Sequence, residues 1–332
     1  MAEKKNNIFA LLRILQTYSD PDHILGQKEI LDLLRGEYGI EMDRRTLYSN
    51  LDALEAFGYE TSRYEENRKG YYLITREFEE PEVLMIANAI HASHFIPAKA
   101  STDLIRKLMS TQSRYVDEHY RDAVYMPNRR KTLNQDLFLN IETASEAIQA
   151  QKCIDFIYLR FSMKDRQLKP RRAERYEVEP RYIVYADDRG YLICTSAHHP
   201  GVTTHYRLDR MKDVRILNRS CPPVKNRKDP YEYAKNKLFM YTGEEISVTL
   251  RCQERILDQM IDLFGRESRI VVQGDDHFII CVTASRGGIV YLAQQYLDAM
   301  EILDPPELRD EVQKNLEEAL HRYKMKEPES AK

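Results

Sequence analysis

The chain has 332 residues, 50 of them Lys or Arg against 53 Asp or Glu for a formal net charge of −3, enough for about two to four ordinary domains. Near neutrality excludes a chain coated in basic residues, so any nucleic-acid binding must come from how the charges are distributed. Cys153, Cys194, Cys221, Cys252 and Cys281 stand far apart without a CxxC pair, which excludes a disulfide framework or zinc knuckle and predicts reduced thiols.

Ile8, Leu11, Leu12 and Leu15 repeat at helical spacing, and Ile30, Leu33 and Leu34 do so on a second helix that stops near Gly36 to Gly39. Asp43 is the N-cap of a third helix whose stripe Leu47, Leu51, Leu54 turns Arg45, Tyr48, Ser49 and Asp52 outward. Gly58 ends it. Alternating stretches around Glu60 to Tyr64 and Gly70 to Ile74 then predict a hairpin. Three helices and a hairpin make residues 1–75 an expected winged helix-turn-helix, with Arg44, Arg45, Thr46, Tyr48 and Ser49 on the exposed start of the helix that enters the major groove. Arg45 is the expected base reader, because a guanidinium pairs with guanine in bidentate fashion. Arg68 and Lys69 on the wing are expected to meet phosphates. The segment holds 10 basic and 13 acidic residues, so a localised patch and two copies on one duplex are expected to supply the affinity.

Residues 76–140 are expected to form a helical connector, with Val83, Ala87, Ile90 and His94 on one stripe and Leu104, Leu108 and Met109 on another. His91 and His94 have no acidic or Cys partner at helical spacing, so no metal site is expected there. Thr143 to Glu146 reads as a capping box that opens a short helix.

Strands follow. Lys152 to Phe161 is apolar on both alternations, as in a strand buried on both sides of a small closed barrel. Tyr176 to Ala186, Gly190 to Ala197, Thr203 to Leu208 and Val214 to Leu217 come after it, with a turn at Asp187-Asp188-Arg189-Gly190. Residues 141–219 hold 15 basic against 11 acidic residues, and the loop Lys164 to Arg175 alone holds six against two. Tyr158, Tyr176, Tyr182, Tyr191 and Tyr206 interleave with Arg181, Arg207 and Arg210, the mixture that holds a phosphate backbone while bases stack on rings. The plainer alternative makes the tyrosines core and joins Asp209 to Arg210 as an internal ion pair. If Arg207 and Arg210 share a strand, they point to opposite faces. Arg210 is then the expected interior anion contact beside Tyr191, with Arg207, Arg171 and Arg172 at the rim.

From Ile246 onward the pattern reads strand, helix, hairpin around Gly274-Asp275-Asp276, a helix from Gly288 to Met300, and a last helix from Pro306 to Lys324. A small α+β sandwich is expected. There is no GxSxG, GxxxxGK[ST] or HExxH motif, His198-His199 reads as a turn, and no enzyme is expected. Without a charged-then-apolar leader or an apolar run near the roughly 18 residues that span a bilayer, a cytoplasmic protein is expected.

Gly190-Tyr191-Leu192-Ile193, Tyr206-Arg207-Leu208-Asp209-Arg210, Tyr158, Tyr176, the run Val178-Glu179-Pro180 and the basic loop together resemble a WYL domain, the sensor module of a family of bacterial transcriptional regulators. Gly190 stands where that family has Trp. Arg45-Thr46-Leu47-Tyr48 is similar to the winged domains that precede WYL modules, although Ser49-Asn50 replaces their usual Arg-Asp. Residues 302–309 resemble the end of the C-terminal WCX-type extension. The resemblance implies a multi-domain α+β chain: a winged helix-turn-helix (1–75), a helical connector (76–140), a WYL sensor with an Sm-like barrel (141–220) and the extension (224–326). It implies a homodimer on a double-stranded DNA operator. It also implies a single-stranded nucleic acid or nucleotide as effector, held by Tyr158, Lys169, Arg171, Arg172, Tyr176, Tyr191, Tyr206, Arg207 and Arg210. No cofactor is implied. The alternatives are an RNA-binding adaptor read mainly by the barrel and a metal-dependent nucleic-acid enzyme, which requires a carboxylate cluster.

Overall fold

Leucine stripes at helical spacing build the first part of the computed structural model, which describes residues 2–116, 131–196, 202–222 and 229–324. Helices α1 (Ala2–Tyr18), α2 (Gln27–Tyr38) and α3 (Arg44–Ala56) bury Leu11, Ile14, Leu15, Ile30, Leu34, Leu47, Leu51 and Leu54 in one core with Tyr71 and Leu73. Gly39 closes α2 in the left-handed region at φ 63°, where a Cβ is costly. Backbone bonds from Ser62 N to Tyr72 O (2.9 Å) and from Ile74 N to Glu60 O (2.8 Å) close a hairpin after α3. Its tip differs from the plain loop expected, because Tyr64–Asn67 makes one helical turn (α4) that ends on Arg68 at φ 59°. Tyr71 also pairs with Leu25. Gly70 permits that approach, since a Cβ there would lie 2.1 Å from the Leu25 carbonyl oxygen.

Two further helices, α5 (Glu80–Ala92) and α6 (Ala98–Met109), pack Val83, Ala87 and Met109 together with Val116. The expected α5 stripe stops short of His94, because the helix ends at Ala92 and Ser93 turns extended. Residues 1–135 form one compact unit and residues 136–332 a second, so the expected winged domain and connector share the first unit and the barrel and extension share the second.

In the second unit, α7 runs from Leu137 to Gln149. Thr143 to Glu146 therefore lies inside this helix and does not start it. Leu137, Ala144 and Ala147 are buried on one stripe, which extends the helix back beyond the hydroxyl that resembled a cap. Six strands follow: β1 (Lys152–Phe161), β2 (Leu168–Pro170), β3 (Tyr176–Ala186), β4 (Arg189–Ser196), β5 (Thr203–Arg207) and β6 (Met211–Ser220). All neighbours are antiparallel, β1 pairing with β2, β3 and β6, β3 with β4, and β4 with β5. Register shifts along β1–β6 and at Pro180/Tyr182 bend the ladders, as bulges do.

The result is a curled half-barrel. Among the described residues no ladder joins β5 to β6, so the closed barrel expected is not formed. The chain leaves β5 through a 3-10 turn, Leu208–Arg210, and β6 pairs back onto β1. Asp187 and Asp188, at φ 49° and 53°, make the two-residue β3–β4 turn, which needs positive φ at both central positions to match strand twist. Gly190, buried within β4 opposite Tyr185, is not the turn residue expected. The His198-His199 turn lies outside the described residues.

The remainder holds α8 (Pro230–Lys235), β7 (Glu245–Gln253), α9 (Leu257–Phe264), β8 (Arg269–Gln273), β9 (His277–Ser285), α10 (Arg286–Gln295), β10 (Met300–Asp304) and α11 (Pro306–Lys324). Its sheet order is β10-β7-β9-β8. The helix expected to reach Met300 ends at Gln295. Met300 and Ile302 alternate inward and pair with Cys252 and Leu250 of β7, so packing makes this five-residue segment a strand.

Candidate functional site

Sequence reasoning nominated one group of residues in each unit. On α3, the Asp43 carboxylate accepts hydrogen bonds from the Thr46 amide (2.9 Å) and the Thr46 hydroxyl (2.8 Å), and these bonds hold it below the usual carboxylate range. Thr46 is thereby tied to the helix start. Arg44 Nε donates to the Tyr48 hydroxyl at 3.0 Å and its guanidinium lies 5.5 Å from the centre of that ring. Arg45 and Ser49 are exposed, and neither bonds to another described side chain. Asn67 organises the hairpin tip by accepting from the amides of Lys69 (2.7 Å) and Gly70 (2.8 Å). Arg68 and Lys69 are left exposed there. Arg63, which was not nominated, ties the hairpin to α3 through Asp52 (2.9 Å) and Glu55.

The second group centres on four rings. Phe156, fully buried on β1, stacks on Tyr176 at 5.7 Å between centroids and 10° between planes. It meets Tyr158 and Tyr206 edge-on at 6.2 and 5.1 Å. Tyr158 and Tyr206 are in turn 5.0 Å apart. The free face of Tyr176 carries the Arg172 guanidinium at 3.7 Å, while Arg172 donates to the Arg175 carbonyl at 3.0 Å. The rings are thus packed against one another, and the face of Tyr176 that would take a base is covered. What this cluster offers a ligand is its polar edge.

That edge is well defined. The Arg207 amide donates to the Tyr158 hydroxyl at 3.2 Å, and no described residue accepts from the Tyr158 or Tyr206 hydroxyls. Burial pushes the Tyr158 phenol up, with the Arg207 amide and the Arg210 charge pulling it back. Burial also pushes Tyr206 up to about 12. Both therefore remain protonated donors at neutral pH. Arg210 is half-buried and has neither an ion pair nor a hydrogen bond among the described residues. Its neighbour Asp209, 4% exposed, instead binds Arg207 through both oxygens at 3.0 and 2.7 Å. The internal pair considered for Arg210 thus belongs to Arg207.

Two geometric expectations are corrected here. Arg207 and Arg210 do not share a strand, because β5 ends at Arg207 and Arg210 sits in the 3-10 turn. Tyr191 does not line the same face as Tyr206: it pairs with Arg207, Leu192 pairs with Tyr206, and Tyr191 packs on the opposite side with Tyr182, Val184, Ile193 and Met240. A one-residue difference in register changes the face. In the basic loop, Lys169 is paired with Asp165, Arg175 binds Asp155 (2.6 Å) and Asp213 (2.8 Å), and Arg171 is exposed.

Asn140 was not nominated at all. Buried on α7, it donates to the carbonyls of Leu208 (3.1 Å) and Met211 (2.7 Å), which fixes the turn that presents Arg210. The signal was an amide within the apolar stripe from Leu137 to Ala147, since a buried amide needs partners.

Residues 140–216 match the family model of the WYL domain. The segment from 140 to 216 is therefore a WYL domain. No curated protein matches it. Among solved structures it is similar to the proteasome accessory factor B/C (PafBC) of Arthrobacter aurescens, with 14% identity, a TM-score of 0.27, and coverage of 97% of this chain and 49% of that one. It is also similar to a CRISPR Cas-related protein, with 14% identity, a TM-score of 0.37, and coverage of 97% and 85%. The chain spans about half the length of PafBC. Superpositions this loose bear on neither fold nor function, so the assignment stands on the WYL residues. Asn140 and the Leu208–Arg210 turn lie inside the matched span.

Proposed function

We propose that this WYL-domain protein is a DNA-binding transcriptional regulator whose half-barrel senses a nucleotide or single-stranded nucleic acid through its phosphate. The observation that carries the sensing is Arg210: a half-buried guanidinium without a described partner, in the turn whose charge reaches the Tyr158 hydroxyl, with the Tyr206 ring 5.0 Å from that of Tyr158. Buried charges are ordinarily paired, so an anion is the group that completes this one. Base stacking contributes little in this reading, because the rings are already packed on one another. Arg172 and Arg171 bind the phosphates of a longer oligonucleotide.

Duplex binding is assigned to residues 1–75, read as a winged helix-turn-helix in a cytoplasmic protein. Its α3 presents Arg45 to a base edge, and Arg68 and Lys69 meet the backbone. Arg44 and Tyr48 act as one braced unit at the groove edge, with Ser49 beside them, while Thr46 serves the cap. Dimerisation on a two-fold operator supplies affinity that one domain of this charge lacks. Among the described residues no cluster of three His, Cys, Asp or Glu is placed to hold a metal ion, and none of the described helices is long and apolar enough to cross a membrane.

The test is fluorescence anisotropy on the full-length protein with a labelled promoter duplex, titrated with unlabelled single-stranded oligonucleotide. Arg210→Ala is expected to keep duplex binding and lose the response to the single strand. Equal responses in Arg210→Ala and wild type would remove the half-barrel as the effector site. Preference for RNA over the duplex would favour the adaptor, and magnesium-dependent cleavage would favour the enzyme.

A further inference from the structure

Cys153 and Cys221 stand 68 residues apart in sequence, yet the fold brings their sulfurs to 2.9 Å. Lys152 of β1 pairs with Ser220 of β6, so alternation puts the next residue on each chain segment, Cys153 and Cys221, on the same face. A register shift of the ladder falls between Lys152 and Ile154, at Cys153 itself. The Cys221 amide donates to the Gln151 carbonyl at 2.8 Å, and Arg181 donates to the Pro222 carbonyl at 2.7 Å. Bonds on either side of Cys221 therefore hold the two sulfurs in contact. Cys194, by contrast, donates to the Thr204 carbonyl at 3.5 Å.

Thiols held together in this way are poised for a disulfide, because folding has already met the entropy of bringing them together. Cys153 is fully buried and Cys221 keeps 7% of its surface, so a small oxidant reaches Cys221. The Arg219 guanidinium donates from Nε to the Cys153 sulfur at 3.3 Å and pairs with Glu177 at 2.6 Å. It lies where negative charge develops when Cys153 attacks. Burial first, then the bond shared with Cys153, push the Cys221 thiol up. Little of it is thiolate at neutral pH, so the pair answers sustained oxidant rather than a brief pulse.

We propose that Cys153 and Cys221 are a site of oxidation by hydrogen peroxide, whose product is a disulfide that fastens the start of β1 to the residue where the chain leaves β6. The Cys221 sulfur gives an electron pair to one peroxide oxygen, the O–O bond breaks, and a sulfenic acid and one water result. The Cys153 sulfur then attacks the sulfenic sulfur. The S–S bond forms, the S–O bond breaks, and hydroxide leaves with a thiol proton as a second water. Two electrons pass from the sulfurs to the peroxide, and both thiol protons end in water.

The test uses the full-length protein carrying Cys281→Ser, which removes the exposed thiol. The native protein is treated with hydrogen peroxide, its remaining thiols are alkylated in denaturant, and unreduced peptides are mapped by mass spectrometry. Free thiols are expected to fall from four to two, with a linked peptide pair containing Cys153 and Cys221 that dithiothreitol separates. The oxidised protein is expected to melt several degrees above the reduced one, since the cross-link spans 68 residues of chain. Both thiols intact after treatment, overoxidation of either without linkage, linkage that forms only in denaturant, or linkage without a rise in melting temperature would each overturn the proposal. No nucleic acid enters the test, so its outcome is independent of the sensing role given to Arg210.

Discussion

Arg45 and Thr46 are adjacent on α3, yet their environments give them different work. The Thr46 amide and hydroxyl are both bound by Asp43, so Thr46 stabilises the start of the helix, whereas Arg45 is exposed and has its whole fork available. If Arg45 reads a base, Arg45→Ala lowers affinity for the cognate duplex by about 1–3 kcal/mol and leaves random duplex almost unaffected. Lys69→Ala is expected to weaken every duplex alike and reduce the salt slope by about one. Titrations of both variants against cognate and scrambled duplexes at several salt concentrations check this pair. Indistinguishable cognate affinity in Arg45→Ala would withdraw α3 as the reader.

At the level of elements, the hairpin after α3 depends on Gly70, whose backbone lies against the Leu25 carbonyl. Gly70→Ala is expected to push the hairpin off Leu25 and lower the melting temperature. Amide exchange at Tyr71, whose N–H bonds to Leu25 O at 2.8 Å, should quicken at the same time. A variant with wild-type melting and unchanged Tyr71 protection would show that the hairpin does not need that contact.

His205 on β5 joins the half-barrel to the segment that follows it. Its Nδ1 lies 2.8 Å from the Met240 carbonyl and its Nε2 2.7 Å from the Tyr233 hydroxyl, so the neutral ring donates from Nδ1 and accepts at Nε2. Burial chiefly, then the nearby Lys237 charge, depress its pKa below the usual value, against the Met240 bond that raises it. A depressed folded-state pKa means that stability is present above the unfolded pKa, near 6.5, and is lost as pH falls through the folded value. Melting followed from pH 7.5 to pH 5 is expected to show a loss that His205→Gln reduces, and equal pH dependence in both proteins would assign the loss to other groups.

For the whole molecule, the two compact units imply that stability is not one quantity. Residues 136–332 hold their own cores and a buried, satisfied Asn140, so this fragment is expected to melt cooperatively and to keep binding single-stranded oligonucleotide with duplex binding gone. Calorimetry and anisotropy on the fragment check both statements. A fragment that is molten in the absence of residues 1–135 would show that the units are interdependent.

Elements with an internal period were legible in the amino-acid order alone. Leu47, Leu51 and Leu54 with Asp43 specified α3, the alternation from Lys152 to Phe161 specified β1, and the pair Tyr191-Leu192 with Tyr206 to Arg210 pointed to the WYL domain. These signals are local: caps, stripes and two-residue alternation depend on neighbours in sequence. The tertiary structure decided what depends on register and partners. Pairing Leu192 with Tyr206 sent Tyr191 to the opposite face, packing against β7 made Met300–Asp304 a strand, and the 3-10 turn held by Asn140 removed Arg210 from any strand. Which side a strand residue faces is set by the strand beside it, and a charge is free or paired according to groups far away in sequence, so neither property is written in the local pattern.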